Sequence, residues 1–275
     1  MSYQQYSPRG FNVLPPVVKN LLIINGLVFL AQLTVPSVFH IDLVDYLGMH
    51  YWGSSKFNPA QLVTYMFLHG NFTHILFNMF ALWMFGNTLE NVWGGKRFLT
   101  YYMVTGVGAA LIQMLVQWIG IAGIQGDISQ VMMSPSPEAF SAFLTNHFPG
   151  FEPQLSQFMN AWSMNPKDPT LINQASMYMN DLLNLKMNVP TIGASGAVFG
   201  ILLAFGMMFP NSLIYLYFFF PIKAKWFVIG YGAVELFFGI RNSAGDDVAH
   251  FAHLGGMIFG FFLIKYWNKK INRFN

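Results

Sequence analysis

The sequence predicts an all-α membrane protein: a polytopic bundle of six transmembrane helices, with a long extracytoplasmic insertion between spans three and four. Of the 275 residues, 54% are hydrophobic and only 9% are charged, whereas a soluble globular domain carries about 25% charged residues. Several apolar stretches also approach the ~20 residues that a helix needs to cross a bilayer. The absence of cysteine excludes disulfides and thiolate chemistry. A formal charge of +3 is too small to indicate a nucleic-acid partner.

The apolar stretches divide the chain into five predicted segments. Residues 1–19 form an N-terminal segment, 20–121 contain spans one to three, 122–190 form the insertion, 191–267 contain spans four to six, and 268–275 form a tail. The predicted spans cover residues 20–35, 62–89, 98–121, 195–209, 226–240 and 249–267. Because the number of spans is even, both termini are expected on the same side of the membrane.

The basic residues predict which side that is. One face of the predicted bundle receives 10 of the 14 Lys and Arg residues, namely Arg9, Lys19, Lys96, Arg97, Lys223, Lys225, Lys265, Lys269, Lys270 and Arg273. Cytoplasmic loops carry an excess of such residues, so we expect both termini in the cytoplasm. The absence of a transit-type leader favours a bacterial inner membrane.

The predicted insertion differs in composition from the spans. It holds seven of the 14 prolines and seven of the 17 methionines, and it is too long for an ordinary connection. Amphipathic stretches at 139–148 and 171–187 predict helices that lie on the membrane or on the spans. We favour a structured insertion over a platform for a substrate or partner.

Ser195 opens span four within the segment Gly193-Ala194-Ser195-Gly196. A helix from Ser195 to Phe209 is roughly 22 Å long, which is shorter than a hydrocarbon core of about 30 Å. Ser195 is therefore expected below the outer surface. The unpaired N–H groups at the start of a helix suit a developing oxyanion, so Ser195 is a candidate nucleophile.

His253 opens span six and shares one helix face with Gly256 and Gly260. These two glycines form a GxxxG pair, and a second pair on span four starts at Gly196. Such pairs let membrane helices approach closely. Because the two spans run in the same direction, the pairs could bring Ser195 Oγ to His253, as a nucleophile and its base require.

His74 and Asn78 lie one turn apart on one face of span two, and both can donate hydrogen bonds to an oxyanion. Taken singly, a serine, a histidine or a GxxxG pair more often serves helix packing. Their occurrence together at one end of three co-directional spans favours a catalytic site. No carboxylate obviously completes a triad: Asp246 and Asp247 precede His253 by only six or seven residues, and Asp246 is expected at the outer surface. We therefore predict a Ser–His dyad whose His253 is oriented by packing.

These motifs resemble the rhomboid family of intramembrane serine proteases over most of the chain. The matching segments run from Phe67 to Asn78, from Gly86 to Glu90 with Gly94, from Gly193 to Gly196, and from Ala249 to Gly260.

The resemblance implies a rhomboid-like fold, in which Ser195 is the nucleophile and His253 the general base. It also implies an oxyanion hole formed by His74, Asn78 and the Ser195 backbone N–H. The supporting residues would be Gly193, Gly196, Phe199, His250, Gly256 and Gly260. By the same resemblance, the activity is that of a serine endopeptidase that cleaves transmembrane segments without a metal or cofactor. Its partners are single-span or other membrane-protein substrates and the lipid bilayer.

Three features depart from the family pattern. Many relatives carry a tyrosine one turn after the nucleophile, stacked against the catalytic histidine. This chain has Phe199 at that position, so the stacking is expected to survive while the hydroxyl is lost. The insertion is longer than the short loop of well-known relatives, and the loop 36–60 has no adjacent Trp-Arg pair. These departures concern substrate access and preference.

Three alternatives remain at the level of the sequence. A catalytically silent relative that binds membrane proteins would not need both Ser195 and His253. A transporter or channel could use intramembrane His and Asn side chains, although charged groups in the spans are few, Glu235 being the main one. The third is a zinc site, whose ligands would be His69, His74, His250 and His253. The chain lacks the His-Glu-x-x-His pattern of metalloproteases.

Overall fold

The fold is given by a computed structural model that describes residues 12–216, 219–241 and 248–271. Most of the predicted N-terminal segment and the end of the predicted tail lie outside these residues, as do Asp246 and Asp247. The described chain is mainly helical, which confirms the helical fold class in its coarse form. The elements in chain order are α1 Pro16–Phe39, α2 Leu43–Leu47, α3 Gln61–Thr64, α4 Phe72–Ala81, α5 Asn87–Trp93, α6 Gly95–Met133, α7 Pro137–His147, α8 Glu152–Met164, α9 Pro169–Met187, α10 Ser195–Met208, β1 Leu213–Leu216, β2 Phe220–Lys223, α11 Ala224–Arg241 and α12 His250–Ile271.

Two described helices, α1 and α6, are long and apolar enough to cross a membrane, and α10 is a shorter apolar helix. Large apolar side chains are exposed along α1 and α11, including Leu27, Leu30, Ile229 and Phe237. A soluble protein rarely exposes apolar patches of this extent, whereas lipid accommodates them. The count of six spans stays a prediction.

The N-terminus of α1 is capped by a carboxylate from α5. Pro16 occupies the first turn, where its missing N–H costs nothing. The two oxygens of Glu90 accept hydrogen bonds from the backbone nitrogens of Val17 (2.9 Å) and Val18 (2.8 Å). Glu90 is buried, so this contact ties the start of α1 to the end of the second helical segment.

The continuous helix predicted for span two is wrong in its first third. The segment begins as α3 and a 3-10 turn at Tyr65–Phe67, leaves helical geometry near Leu68, and starts again at α4. Asn71 caps α4 because its side-chain oxygen accepts from the His74 backbone nitrogen at 2.8 Å. A π-helical turn at Leu82–Gly86 then joins α4 to α5.

The other predicted spans correspond to single helices with shifted ends. Span three is part of α6, which continues to Met133, twelve residues beyond the predicted end at residue 121. Spans four, five and six correspond to α10, α11 and α12. The connection from α10 to α11 holds an antiparallel hairpin that the sequence did not predict, in which Ile214 of β1 faces Ile222 of β2.

The chain divides into two compact units. The first comprises the described residues within 1–49, 59–113 and 191–275, and the second comprises 50–58 and 114–190. The predicted insertion lies entirely within the second unit. Helices α7 and α9 confirm that the two amphipathic stretches are helical, while their expected position on the membrane or on the spans stays a prediction. Helix α8 was not predicted. The core of this unit surrounds the fully buried Trp162 with Phe140, Phe143, Leu144, Ala175 and Met179.

Within the first unit, glycines let α10 pack tightly on α6 and α12. A β-carbon at Gly256 of α12 would collide with the backbone carbonyl of Gly196 on α10. A β-carbon at Gly200 would lie 2.6 Å from the Thr105 side chain on α6. The predicted close-packing of spans four and six is therefore present, and it places the beginnings of α10 and α12 side by side.

Candidate active site

Ser195 lies at the first position of α10, next to a glycine turn. Gly193 has φ +132°, a conformation that only glycine adopts easily, and its N–H donates to the Tyr65 carbonyl oxygen at 2.9 Å. The amide of Val198 bonds to the Ala194 carbonyl oxygen, and Ala194 offers no side-chain cap. The amides of residues 195–197 therefore have no partner within the helix and form a positive helix end.

His253 lies in the first turn of α12 and contacts Ser195 directly. Its Nε2 is 2.8 Å from Ser195 Oγ. The ring of Phe199, one turn along α10, stacks on the imidazole with centroids 4.2 Å apart and planes 5° apart. The structure thus brings together the predicted nucleophile and base, and the aromatic stacking predicted for Phe199 is present.

The prediction that packing alone orients His253 is wrong, because the structure supplies an acid. Glu235 of α11 places Oε2 2.8 Å from His253 Nδ1 and 2.6 Å from His250 Nδ1. This carboxylate is only 5% exposed. Ser195, His253 and Glu235 therefore form a continuous chain of hydrogen bonds, and packing by Phe199 acts in addition to the acid.

His74 of α4 lies close to Ser195. Its Nδ1 accepts a hydrogen bond from the Gly70 N–H at 3.3 Å, so the proton of the neutral ring is on Nε2. A β-carbon at Gly193 would lie 3.1 Å from His74 Nε2 and 3.4 Å from Ser195 Oγ. The missing side chain of Gly193 therefore leaves a space that both His74 Nε2 and Ser195 Oγ can reach.

Asn78 lies one turn deeper in α4 and is buried. Its Nδ2 donates to the His74 carbonyl oxygen at 3.0 Å, which uses one of the two amide hydrogens within the helix. The second hydrogen is left for another acceptor. The described contacts tie Asn78 to His74 and do not join it to Ser195.

The remaining predicted supporting residues have structural contacts. Gly196 and Gly256 form the backbone contact between α10 and α12, and Gly260 approaches the Tyr101 hydroxyl on α6. That hydroxyl donates to the Gly200 carbonyl oxygen at 2.9 Å. His250 hydrogen-bonds Glu235, and its ring stacks on Phe238.

Three described side chains lie close enough together to hold a metal ion. They differ from the four histidines that the sequence offers as ligands of a zinc site. One ligand atom each from Glu235, His250 and His253 lies within 4.8 Å of the others. In the present geometry both imidazoles approach the same carboxylate oxygen at hydrogen-bond distance. His69 and His74 instead contact each other edge to face, with centroids 5.1 Å apart.

Glu235 is the functional candidate whose position the sequence did not reveal. In the sequence it stands out only as a charge inside a predicted span. Because it precedes His253 by 18 residues on another helix, spacing gives no relation between their side chains. One physical argument could have identified it. An ionisable group inside a membrane helix needs a partner, and span six contains the imidazoles of His250 and His253.

The chain is similar to known proteins over more than half of its length. A family model described as the Rhomboid domain matches residues 56–133 and 170–269, which is more than half of the chain. The unmatched stretch 134–169 contains α7 and α8 of the second unit.

Three relatives illustrate the range of similarity. The chain is 25% identical over 198 residues to RHOMBOID-like protein 12, mitochondrial, from Arabidopsis thaliana, covering 71% of this chain and 42% of the relative. It is 24% identical over 221 residues to Rhomboid protein 1, mitochondrial, from Saccharomyces cerevisiae, covering 78% and 44%. It is 39% identical over 57 residues to Rhomboid protease AarA from Providencia stuartii, covering 21% and 20%. The chain thus spans less than half the length of each.

Proposed function

This chain belongs to the rhomboid family of integral membrane proteins, and we propose that it is a serine endopeptidase that cleaves transmembrane segments of other membrane proteins. The single observation that carries the proposal is the 2.8 Å contact between Ser195 Oγ and His253 Nε2. A serine hydroxyl is a weak nucleophile until a base accepts its proton, and this contact provides the base.

The proposed reaction has two halves. Ser195 Oγ attacks the scissile carbonyl carbon while its proton passes to His253 Nε2. When the tetrahedral intermediate collapses, that proton goes to the leaving amine, the C–N bond breaks, and an acyl ester remains on Ser195. Water then attacks the ester with His253 again as base, which releases the carboxylic acid and restores the hydroxyl.

The oxyanion of the intermediate would lie in the space beside Gly193. Two donors support this assignment: the His74 Nε2–H and the unpaired backbone N–H of Ser195. Donors fixed in advance in a site shielded from water stabilise developing charge strongly. We keep Asn78 as a third donor of the proposed oxyanion hole. It can donate to the oxyanion directly only if its second amide hydrogen turns toward it.

The proposed substrates are single-span or other membrane proteins, and the bilayer is the proposed environment of the reaction. We retain six spans as part of the proposal because of the apolar stretches of the sequence, and both termini in the cytoplasm because of the distribution of basic residues. The earlier expectation of a bacterial inner membrane gains no support from the comparisons, because the two longest matches are to proteins named as mitochondrial.

The test is cleavage of a one-span reporter protein in proteoliposomes. Wild type is compared with Ser195→Ala and His253→Ala, each checked for normal insertion and thermal stability. We expect cleavage by wild type and its loss in both variants. Cleavage that persists in well-folded Ser195→Ala would contradict the proposal, as would a wild type that cuts no reporter and reacts with no fluorophosphonate probe.

A further inference from the structure

We propose that Glu235 is a positioning residue that converts the Ser195–His253 pair into a triad, an inference that rests on the function proposed above. Its carboxylate accepts from His253 Nδ1 at 2.8 Å, on the side of the ring opposite to the nitrogen that contacts Ser195. The two contacts at 2.8 Å line up hydroxyl, imidazole and carboxylate in the order that serine hydrolases use.

The first consequence concerns the location of the ring proton. A neutral imidazole carries its proton on one nitrogen and a lone pair on the other. Because a carboxylate can only accept, Glu235 holds the proton of His253 on Nδ1. The lone pair of Nε2 is then directed at Ser195 Oγ, which is the state that can accept the hydroxyl proton.

The second consequence concerns charge. When His253 takes the proton from Ser195 it becomes an imidazolium, and an adjacent carboxylate stabilises that cation in the transition state. The ring of Phe199 also holds the imidazole in place, but stacking cannot choose between its two tautomers. The carboxylate therefore selects the tautomer and stabilises the cation, which packing does not do.

The burial of Glu235 explains why the arrangement needs His250. A carboxylate that is 5% exposed is costly unless it is hydrogen-bonded. His250 Nδ1 lies 2.6 Å from the same oxygen, Oε2. Two imidazoles thus share one carboxylate oxygen, and His250 fixes the orientation of the carboxyl group that positions His253.

Helix packing sets the register between Glu235 and the two histidines. Gly239 lies one turn after Glu235 on the same face of α11. A β-carbon at Gly239 would lie 3.1 Å from the Phe251 ring and 3.3 Å from the His250 Cβ. This small residue lets α11 approach the first turn of α12 closely, which brings the carboxylate within reach of both rings.

The test uses the full-length protein in detergent micelles with a one-span reporter. The variant Glu235→Gln removes the charge with little change in volume, and Glu138→Gln on the exposed face of α7 is the matched control. For each protein we measure kcat, KM, the rate of Ser195 labelling by a fluorophosphonate, and the melting temperature.

We expect Glu235→Gln to lower kcat by about 100-fold or more, by analogy with the loss when a triad aspartate is replaced by its amide. The labelling rate should fall in parallel, while KM stays within about twofold, because the residue acts on chemistry and does not touch substrate. The control should match wild type. His250→Phe keeps the Glu235–His253 pair, so its kcat should lie between those of wild type and Glu235→Gln.

Two results would overturn the inference. One is a folded Glu235→Gln protein that keeps kcat and labelling within about threefold of wild type. The other is a nitrogen-15 histidine spectrum of wild type that places the His253 proton on Nε2, a measurement that needs no variant to fold. A wild type that is labelled at Ser195 separates this failure from a failure of the proposed function.

Discussion

The Gly196 carbonyl group lies against Gly256, so that α10 and α12 are in backbone contact beside Ser195 and within one turn of His253. Ser195 immediately precedes the first of these glycines, and His253 lies three residues before the second. The distance between Ser195 Oγ and His253 Nε2 therefore depends on a contact that tolerates no side chain.

Replacing Gly256 with alanine is expected to separate the two helices. The added β-carbon would meet backbone atoms, which cannot move away as a flexible side chain can. Overpacking of this kind costs about 1–3 kcal/mol, so the melting temperature should fall and cleavage should drop at least about tenfold. Thermal unfolding and the reporter assay measure both effects.

The matched control for this prediction is Gly230→Ala on α11, where a β-carbon would meet nothing within 4 Å. It should leave cleavage unchanged and can stabilise the helix by up to about 1 kcal/mol. If both alanine variants behave like wild type, close backbone packing does not hold the site together.

Removing the Glu90 carboxylate is expected to destabilise the first unit. Glu90→Ala leaves the amides of Val17 and Val18 without their acceptors, and each hydrogen bond to a charged group contributes about 1.5–3 kcal/mol. Glu90→Gln keeps one acceptor oxygen, so its free energy of unfolding should lie between those of wild type and Glu90→Ala. The measurement is the free energy of unfolding in bicelles; equal values for Glu90→Ala and wild type would refute the capping role.

Loss of the His74 side chain is expected to reduce kcat. If its Nε2–H stabilises the oxyanion, His74→Ala should lower kcat by roughly 10²- to 10³-fold with little change in KM. The control is His40→Asn, an exposed position at φ 56°, a backbone conformation that asparagine tolerates. A change in KM alone would assign His74 to substrate binding instead.

Substrates that unwind easily are expected to be cut faster. A peptide bond inside a helix keeps its carbonyl in the helical hydrogen-bond ladder, so the segment must unwind before Ser195 can attack. A reporter with glycine near the cleaved bond should be cut faster than one with an all-leucine segment, because glycine weakens a helix by about 1 kcal/mol. Equal rates for the two reporters would show that unwinding does not limit the reaction.

The meeting of Ser195 and His253 could be anticipated because the sequence carries the reasons for it. Both residues begin spans that run in the same direction, and each is followed by small residues at helical spacing. Ser195 and His253 are then expected at the same depth in the membrane and on the helix faces that pack together. The stacking of Phe199 on His253 was implied by the resemblance to the rhomboid family, in which many relatives carry a stacked tyrosine at the position one turn after Ser195.

Other features depend on information that spacing does not hold. The contact of Glu235 with His253 depends on how α11 is rotated against α12, which no periodicity in a uniformly apolar helix reveals. The sequence does not reveal the break before α4, because the apolar content there resembles that of a continuous span. The break arises from Asn71 acting as a helix cap and from polar groups that bind the loop backbone, such as the Gln32 side chain, which both donates to and accepts from His69.

Activation of the Ser195 hydroxyl by His253 is the step on which the proposed protease function depends. The most direct measurement is the intact mass and peptide map of the full-length protein after reaction with a fluorophosphonate. We predict one adduct per chain, located on Ser195, absent in Ser195→Ala and formed at least about 100-fold more slowly in His253→Ala. Equal labelling of wild type and Ser195→Ala, or an undiminished rate in His253→Ala, would contradict the account.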